Sequence, residues 1–374
     1  MAAPARPARL RAVGFARLPG WAADDHAAAF AAFRRSAERI AAAPPKTRPL
    51  GPDGALLAAV AARALALSAA PDAATARAFF EDHFLPRRIE PLGGGGGFVT
   101  GYFEPEIDGS RVRSDRFPVP IYARPDDLVE LGPDDDRTGL PDDVTWARRR
   151  PDGRLEAHPD RGAIMAGALD GRVPVLAFVA SWVEAFFVHV QGSARVRLAE
   201  GGVLRLTFAG KSGHPYFPIA RVLVERGLME PRQATADVLR RWLDDHPDDA
   251  PAVMARNRSF IFFREADVPD PALGPVAAAG VALTPGRSLA VDRHLVTFHA
   301  PVFVDAAFGD DVPGAEPAFR RLMIAQDTGS AILGPARGDV FFGTGEAAWR
   351  AAARVRHPAR FTLLVPRGDL VRVP

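Results

Sequence analysis

The chain has 374 residues, with 47 Lys and Arg against 45 Asp and Glu for a formal charge of +2, a length that suits roughly two domains. With 48% apolar and 25% charged residues it is globular rather than fibrous or disordered throughout, and its near balance of charge offers no basic field that points to nucleic acid. The absence of cysteine excludes disulfides, thiolate nucleophiles, cysteine-ligated zinc and lipid attachment through an N-terminal cysteine.

Residues 1 to 20 are basic and proline-containing, without the apolar core of about 7 to 15 residues that a signal peptide needs. No stretch approaches the roughly 20 uninterrupted apolar residues of a membrane span. A first helix is expected to start at Asp24-Asp25, bury Phe30, Phe33, Ala37 and Ile40 on one face, and stop at Pro44-Pro45. A second should run from about Asp53 to Leu67. A third should start at Pro71-Asp72, carry Phe79, Phe80 and Phe84, and end at Pro86. These three read as a supporting layer.

The five glycines Gly93 to Gly97 mark a change of character. No Gly-Lys-Ser/Thr follows them and no strand-turn-helix context completes a dinucleotide fingerprint, so they read as a flexible connector or a close backbone approach to a ligand. From there to about residue 210, Phe98 to Pro105, Val119 to Tyr122, Val173 to Val179, Phe186 to Val190 and Val203 to Phe208 have the aromatic and β-branched content of closely spaced strands. Such spacing suits a small barrel or sandwich. Helical periodicity returns at 214 to 228 and 235 to 245, and strands resume at Ser259.

Three aspartates in the C-terminal part sit where a short apolar run meets a glycine-rich turn: Asp292 after Ser288-Leu-Ala-Val, Asp327 in Ala325-Gln-Asp-Thr-Gly, and Asp339 in Gly338-Asp-Val-Phe-Phe-Gly. Strands would deliver these carboxylates on rigid backbone, and apolar walls would raise the pKa of one that must hold its proton near neutrality. Aspartate before glycine is also an ordinary turn signal.

The nine histidines show no paired spacing suited to a metal, and no cofactor is expected. His214 stands out within Gly210-Lys-Ser-Gly-His-Pro-Tyr, a polar cluster that also holds Lys211, one of the two lysines in the chain with Lys46. Gln191-Gly-Ser193-Ala194 is a superficial likeness to a nucleophile elbow; at the end of a strand it would present an amide and a hydroxyl suited to sugar hydroxyls and acetamides. Thr100-Gly-Tyr102-Phe-Glu104-Pro adds an aromatic face beside a glycine.

Together, Phe98-Val-Thr-Gly-Tyr-Phe-Glu-Pro, Phe186-Phe-Val-His-Val-Gln-Gly-Ser, Ala209-Gly-Lys-Ser-Gly-His-Pro-Tyr and Gln326-Asp-Thr-Gly resemble the membrane-bound lytic transglycosylase A (MltA) family, and the C-terminal part is similar to its three-aspartate (3D) domain. The resemblance covers residues 20 to 370 and implies a mainly β protein with flanking helices (α+β). A double-psi β-barrel domain, residues 1 to 105 plus 255 to 374, would hold an inserted smaller β-barrel, 106 to 254, with a glycan groove between them.

It further implies a murein lyase that cuts the β-1,4 bond between N-acetylmuramic acid and N-acetylglucosamine and leaves a 1,6-anhydro end. Asp339 would be the catalytic acid and base, Asp327 a supporting carboxylate, and Asp292 structural. Thr100, Tyr102, Gln191, Ser193, Lys211 and His214 would recognise glycan. The substrate implies a periplasmic location and peptidoglycan strands as partner; association with cell-wall synthesis or division machinery is not readable from the residues. Other outcomes for such a chain are a catalytically weak murein-binding module and a hydrolytic muramidase. Departures from the family pattern fall at Ser330, Ala194 and the Thr297-Phe-His299-Ala-Pro turn.

Overall fold

A computed structural model describes residues 8–132, 134–310, 312–314 and 316–368. The chain divides into two compact units, one formed by residues 8–103 with 268–368 and the other by 104–267.

In the first unit, strands Phe84–Pro91, Gly97–Glu104, Ser288–Val291, Pro301–Ala307, Ala318–Asp327, Arg337–Thr344 and Arg356–Pro366 build one sheet with Ala8–Ala12 at its edge. The long strand Arg356–Pro366 pairs with Pro301–Ala307 on one side and, through Arg356 to Ala359, with Gly97–Glu104 on the other. That double pairing closes six strands into a barrel, which leaves no free sheet edge around the ring. Ser288–Val291 lies parallel to Ala318–Asp327 and antiparallel to Arg337–Thr344.

Both faces of Ser288–Val291 and of most of Pro301–Ala307, Ala318–Asp327 and Arg356–Pro366 are covered, which explains their near-continuous apolar runs, whereas Gly97–Glu104 and Arg337–Thr344 are less completely buried. Along Pro301–Ala307, Val302 and Val304 enter one cluster with Met323, Ala325, Val340 and Leu363, whereas Phe303 enters a second with Leu322, Ile324 and Leu364. The second cluster is where the N-terminal helices pack. Helices His26–Ile40, Gly54–Ala66 and Ala73–His83 contribute Phe30, Phe33, Leu57, Phe79 and Phe80 to it. Each begins at an aspartate whose carboxylate accepts a first-turn amide: Asp25 from Ala28, Asp53 from Ala55 and Leu56, Asp72 from Thr75. Asp24 does not cap; it accepts from Leu322 N at 2.7 Å and pairs with buried Arg287 at 2.9 Å, fastening the first helix to the barrel.

The second unit holds a six-stranded sheet of Glu106–Ser110, Val119–Tyr122, Val175–Val179, Ser193–Leu198, Val203–Lys211 and Ile261–Glu265. Its two edge strands meet through a bridge between Ala123 and Phe263, so this sheet also curls toward a barrel. Leu128–Glu130, Trp146–Arg149 and Leu155–Glu156 form a separate small sheet.

Three expectations need correction. Ile261–Glu265 pairs antiparallel to Val203–Lys211, so the insertion runs to Asp267 and not to 254. Phe186 to Val190 is not a strand but the middle of helix Trp182–Gln191, which Ser181 caps through Glu184 N at 3.1 Å and Gly192 ends with a left-handed φ of 75°. The helical stretch expected over 214 to 228 is limited to Ala220–Glu225, because Pro215 and Pro218 withhold amides from an earlier start. Among the described residues no helix is long and apolar enough to cross a membrane.

Candidate functional site

Ala290 is the reference point of the site. It pairs with Asp339 on one neighbouring strand and with Asp327 on the other, so the two aspartates flank one strand at the same level. Two steps of about 4.8 Å separate their backbones, and side chains can span the rest.

Strand Gly97–Glu104 borders Arg337–Thr344. Its period of two turns Thr100 and Tyr102 to one side. Thr100 Oγ1 donates to Asp339 Oδ1 at 2.5 Å, and the longer Tyr102 hydroxyl reaches past that strand to donate to Asp327 Oδ2 at 2.8 Å. Gly101 between them has no room for more than hydrogen, since a Cβ there would lie 2.7 Å from Phe342 and 2.9 Å from the Ala352 backbone. The other oxygen of Asp327 accepts from Ala278 N at 3.3 Å.

Arg337 precedes Asp339 by two residues on the same strand and therefore shares its face. Its Nη2 donates to Thr100 Oγ1 at 2.7 Å, its Nη1 donates to Gly338 O, and its guanidinium lies over the Phe98 ring at 5.6 Å. Arg337, Thr100 and Asp339 thus form a directed chain: the cation donates to the hydroxyl and the hydroxyl donates to the carboxylate.

These surroundings set proton affinities. Burial pushes the Asp339 carboxyl up to about 6; the Thr100 hydrogen bond and the Arg337 charge oppose that rise, and the Asp327 charge adds to it. Asp327 is also raised by burial, against hydrogen bonds from Thr328 N, Tyr102 and Ala278 N. Tyr102 is pushed well above its ordinary range by burial and by the charge of Asp327, so it remains a donor. Asp327 and Asp339 are each half-buried as residues, and burial is the leading cause of the rise in both carboxyl groups. The arrangement can hold a proton near pH 6 on one carboxyl and release it to an adjacent oxygen.

Asp292 stands apart. It is buried, with Oδ1 accepting from His294 N at 2.9 Å and Oδ2 from Gly334 N at 2.8 Å, a staple between two turns.

Thr100 and Tyr102, expected to touch glycan, give their hydroxyl protons to the two carboxylates. The remaining four expected residues lie in the other unit. Gln191 is the last residue of helix Trp182–Gln191, Ser193 is buried at the start of the next strand opposite Thr207, and Lys211 ends strand Val203–Lys211. His214 is buried and its Nε2 donates to His158 O at 2.8 Å, which takes its imidazole away from a surface role. Residue-by-residue reading missed Arg337. The signal that finds it is strand periodicity, which puts a cation two residues before Asp339 on the same face.

A barrel closed around strand-borne aspartates, with a second β unit spliced between its first two strands, Gly97–Glu104 and Ser288–Val291, defines a three-aspartate barrel protein with an insert. Family models match accordingly: the MltA specific insert domain over residues 98–264 and the 3D domain over residues 287–365. The crystal structure of a membrane-bound lytic murein transglycosylase from Agrobacterium tumefaciens is 40% identical, covers 98% of this chain and 100% of its own, and superposes with a TM-score of 0.87. MltA from Neisseria gonorrhoeae is 32% identical over 98% of this chain and 96% of its own, with a TM-score of 0.79. Membrane-bound lytic murein transglycosylase A from Escherichia coli strain K12 is 29% identical over 269 residues, 71% of this chain and 64% of that protein, so the chain spans somewhat less than two thirds of that relative's length. The chain belongs to the membrane-bound lytic murein transglycosylase A family.

Proposed function

We propose that this protein is a peptidoglycan lytic transglycosylase in which Asp339 acts alone as acid and then base. The observation that carries the reading is the Asp339 carboxyl itself: hydrogen-bonded by Thr100, beside Arg337 and Asp327, and raised by burial to about 6. The similarity to murein transglycosylases supplies the substrate class.

In the first stage Asp339 gives its proton to the glycosidic oxygen between N-acetylmuramic acid and N-acetylglucosamine, and the C1–O bond breaks. In the second, the C6 hydroxyl of the same muramic acid attacks C1 while the Asp339 carboxylate takes its proton. A 1,6-anhydro ring forms, no water is consumed, and the acid is regenerated. Because the nucleophile is intramolecular, ring positioning supplies much of the rate. Ordinary glycosidases need a second carboxyl as nucleophile or base, and this chemistry does not.

Asp327 then serves as the neighbour whose charge keeps the proton affinity of Asp339 high and favours positive charge developing at C1. Thr100 and Arg337 limit that affinity so that the proton can leave. Gln191 and Lys211 are the inserted unit's candidates for glycan contact. A peptidoglycan substrate favours a periplasmic location.

The test is digestion of purified peptidoglycan by the intact protein, with products read by mass spectrometry. Anhydro-muropeptides are expected. Reducing ends would mean a hydrolytic muramidase, and bound but uncut murein a binding module; either would overturn the proposal.

A further inference from the structure

His299 is the one non-glycine among the described residues with a left-handed backbone, at φ 68°. A side chain held there stores strain that surrounding contacts must hold in place. Its N–H donates to Ala325 O at 2.6 Å, and its buried imidazole Nδ1 is hydrogen-bonded to Ser36 Oγ at 2.9 Å. Ser36 lies on helix His26–Ile40 and is itself fully buried.

Both contacts lead to Gln326. The ladder between Ser288–Val291 and Ala318–Asp327 pairs Leu289 with Ala325 and Ala290 with Asp327, so Gln326 is the extra residue of a bulge immediately before Asp327. A bulge re-aims the side chain that follows it. Fully buried Gln326 uses every part of its amide: Nε2 donates to Ser36 Oγ at 2.8 Å and to Ala32 O at 3.0 Å, and Oε1 accepts from Ser288 Oγ at 2.5 Å. Its carbonyl accepts from Ala279 N at 3.1 Å, and Ser288 Oγ accepts from Thr284 N at 2.8 Å.

We infer that the buried chain His299–Ser36–Gln326–Ser288 locks this bulge and so aims the Asp327 carboxylate toward Asp339, which makes Gln326 and His299 positioning residues of the site. The inference rests on Asp339 being the acid. It also gives the Thr297-Phe-His299 turn a purpose: the strained backbone presents both an amide to Ala325 and an imidazole to Ser36. The charged and titratable groups facing Asp339 are Tyr102 across from it, Arg337 on its own strand and Asp327 beyond Ala290; Thr100 adds a hydroxyl. If the bulge loosens, Asp327 withdraws, its charge no longer raises Asp339, and the Asp339 midpoint falls.

The experiment is a carboxyl carbon-13 NMR titration of the full chain labelled at aspartate, with the Asp339 signal assigned by its loss in Asp339→Asn. Gln326→Met fills the same volume without the amide, and His299→Gly accepts the backbone without the imidazole. Each should lower the Asp339 midpoint by roughly half a unit, and His299→Asn, which tolerates that backbone and restores a side-chain partner for Ser36, should bring it back. Turnover should fall in the first two with KM unchanged. A wild-type midpoint in folded Gln326→Met overturns the inference. Should His299→Gly fail to fold, Ser36→Ala interrupts the same chain with a smaller change, and a wild-type midpoint there overturns it equally. Wild-type protein that makes no anhydro product would defeat the proposed function, whereas the titration reads the carboxylates without turnover.

Discussion

Each unit of the molecule buries charge, and the two do so in opposite ways. In the inserted unit Arg161 is fully enclosed between the rings of Phe186 and Phe260, at 4.8 and 5.3 Å. Its Nε donates to Asn257 O at 2.9 Å, Nη2 to Ser259 O at 2.5 Å and Nη1 to His189 Nδ1 at 3.0 Å. Burial pushes Arg161 down to about 9 and holds His189 well below the usual imidazole range, so the ring stays neutral and can accept. Each guanidinium nitrogen has one fixed acceptor, and two ring faces flank the cation. In the barrel, burial raises both Asp339 and Asp327, the charge of Asp327 adds to the rise of Asp339, and one hydroxyl donor on each does not cancel it. A fixed acceptor on each nitrogen of a strong base makes a structural pin; a carboxyl raised toward neutrality makes a group that can exchange a proton.

The comparison breaks most severely at Asp339. Asp339→Asn should cut anhydro-muropeptide release by about 10³-fold, within the usual range for a lost general acid. The same variant should be more stable than wild type above pH 6. Its sign follows from linkage: a folded pKa of about 6 lies above the ordinary 3.8, so the contribution is present below the unfolded value and is lost as pH rises through 6. The gain by thermal unfolding at pH 7.5 should reach at most about 3 kcal/mol and vanish near pH 3. Equal stability at both pH values would show that the carboxyl is not raised.

Arg161→Ala tests the opposite pole. It should destabilise the inserted unit by about 3 kcal/mol in denaturant unfolding, since it leaves two carbonyls and an imidazole unsatisfied beside a cavity. The titration of Asp339 should not change. A shift there would mean that the two clusters are coupled.

Arg337→Met gives the smallest and most diagnostic effect. Removing a charge that holds the Asp339 carboxyl down should move the falling, high-pH limb of the activity profile upward by roughly half a unit to one unit. Movement to lower pH would rule out this role for Arg337.

Many strands and helices of the first unit could be read before any fold was known, because several strands are continuous apolar runs and the helices begin at aspartates that cap, whereas the barrel came from the family resemblance. The helix Trp182–Gln191 could not be read from composition. Phe186 to Val190 has strand-like residues, yet burial on several sides of the helix overrode that propensity, and Ser181 three residues before Glu184 with Gly192 at the end is the signature that predicts it. For Thr100 and Tyr102, motif context singled out the residues but not the carboxylates that their hydroxyls meet. Their partners are more than 200 residues away in the chain, and no local pattern encodes a hydroxyl crossing a strand.

The sequence by itself determined that aspartates ride on strands, that the middle of the chain differs from its ends, and to which family the motifs are similar. Each of these lies in short-range periodicity or in a contiguous motif. Tertiary structure alone decided that Ala290 would separate Asp327 from Asp339, that Arg337 would act through Thr100, and that a strained histidine would brace a glutamine bulge. Register across a parallel pair is set by long-range burial and ring closure, and shifting it by one residue would turn every one of these side chains away.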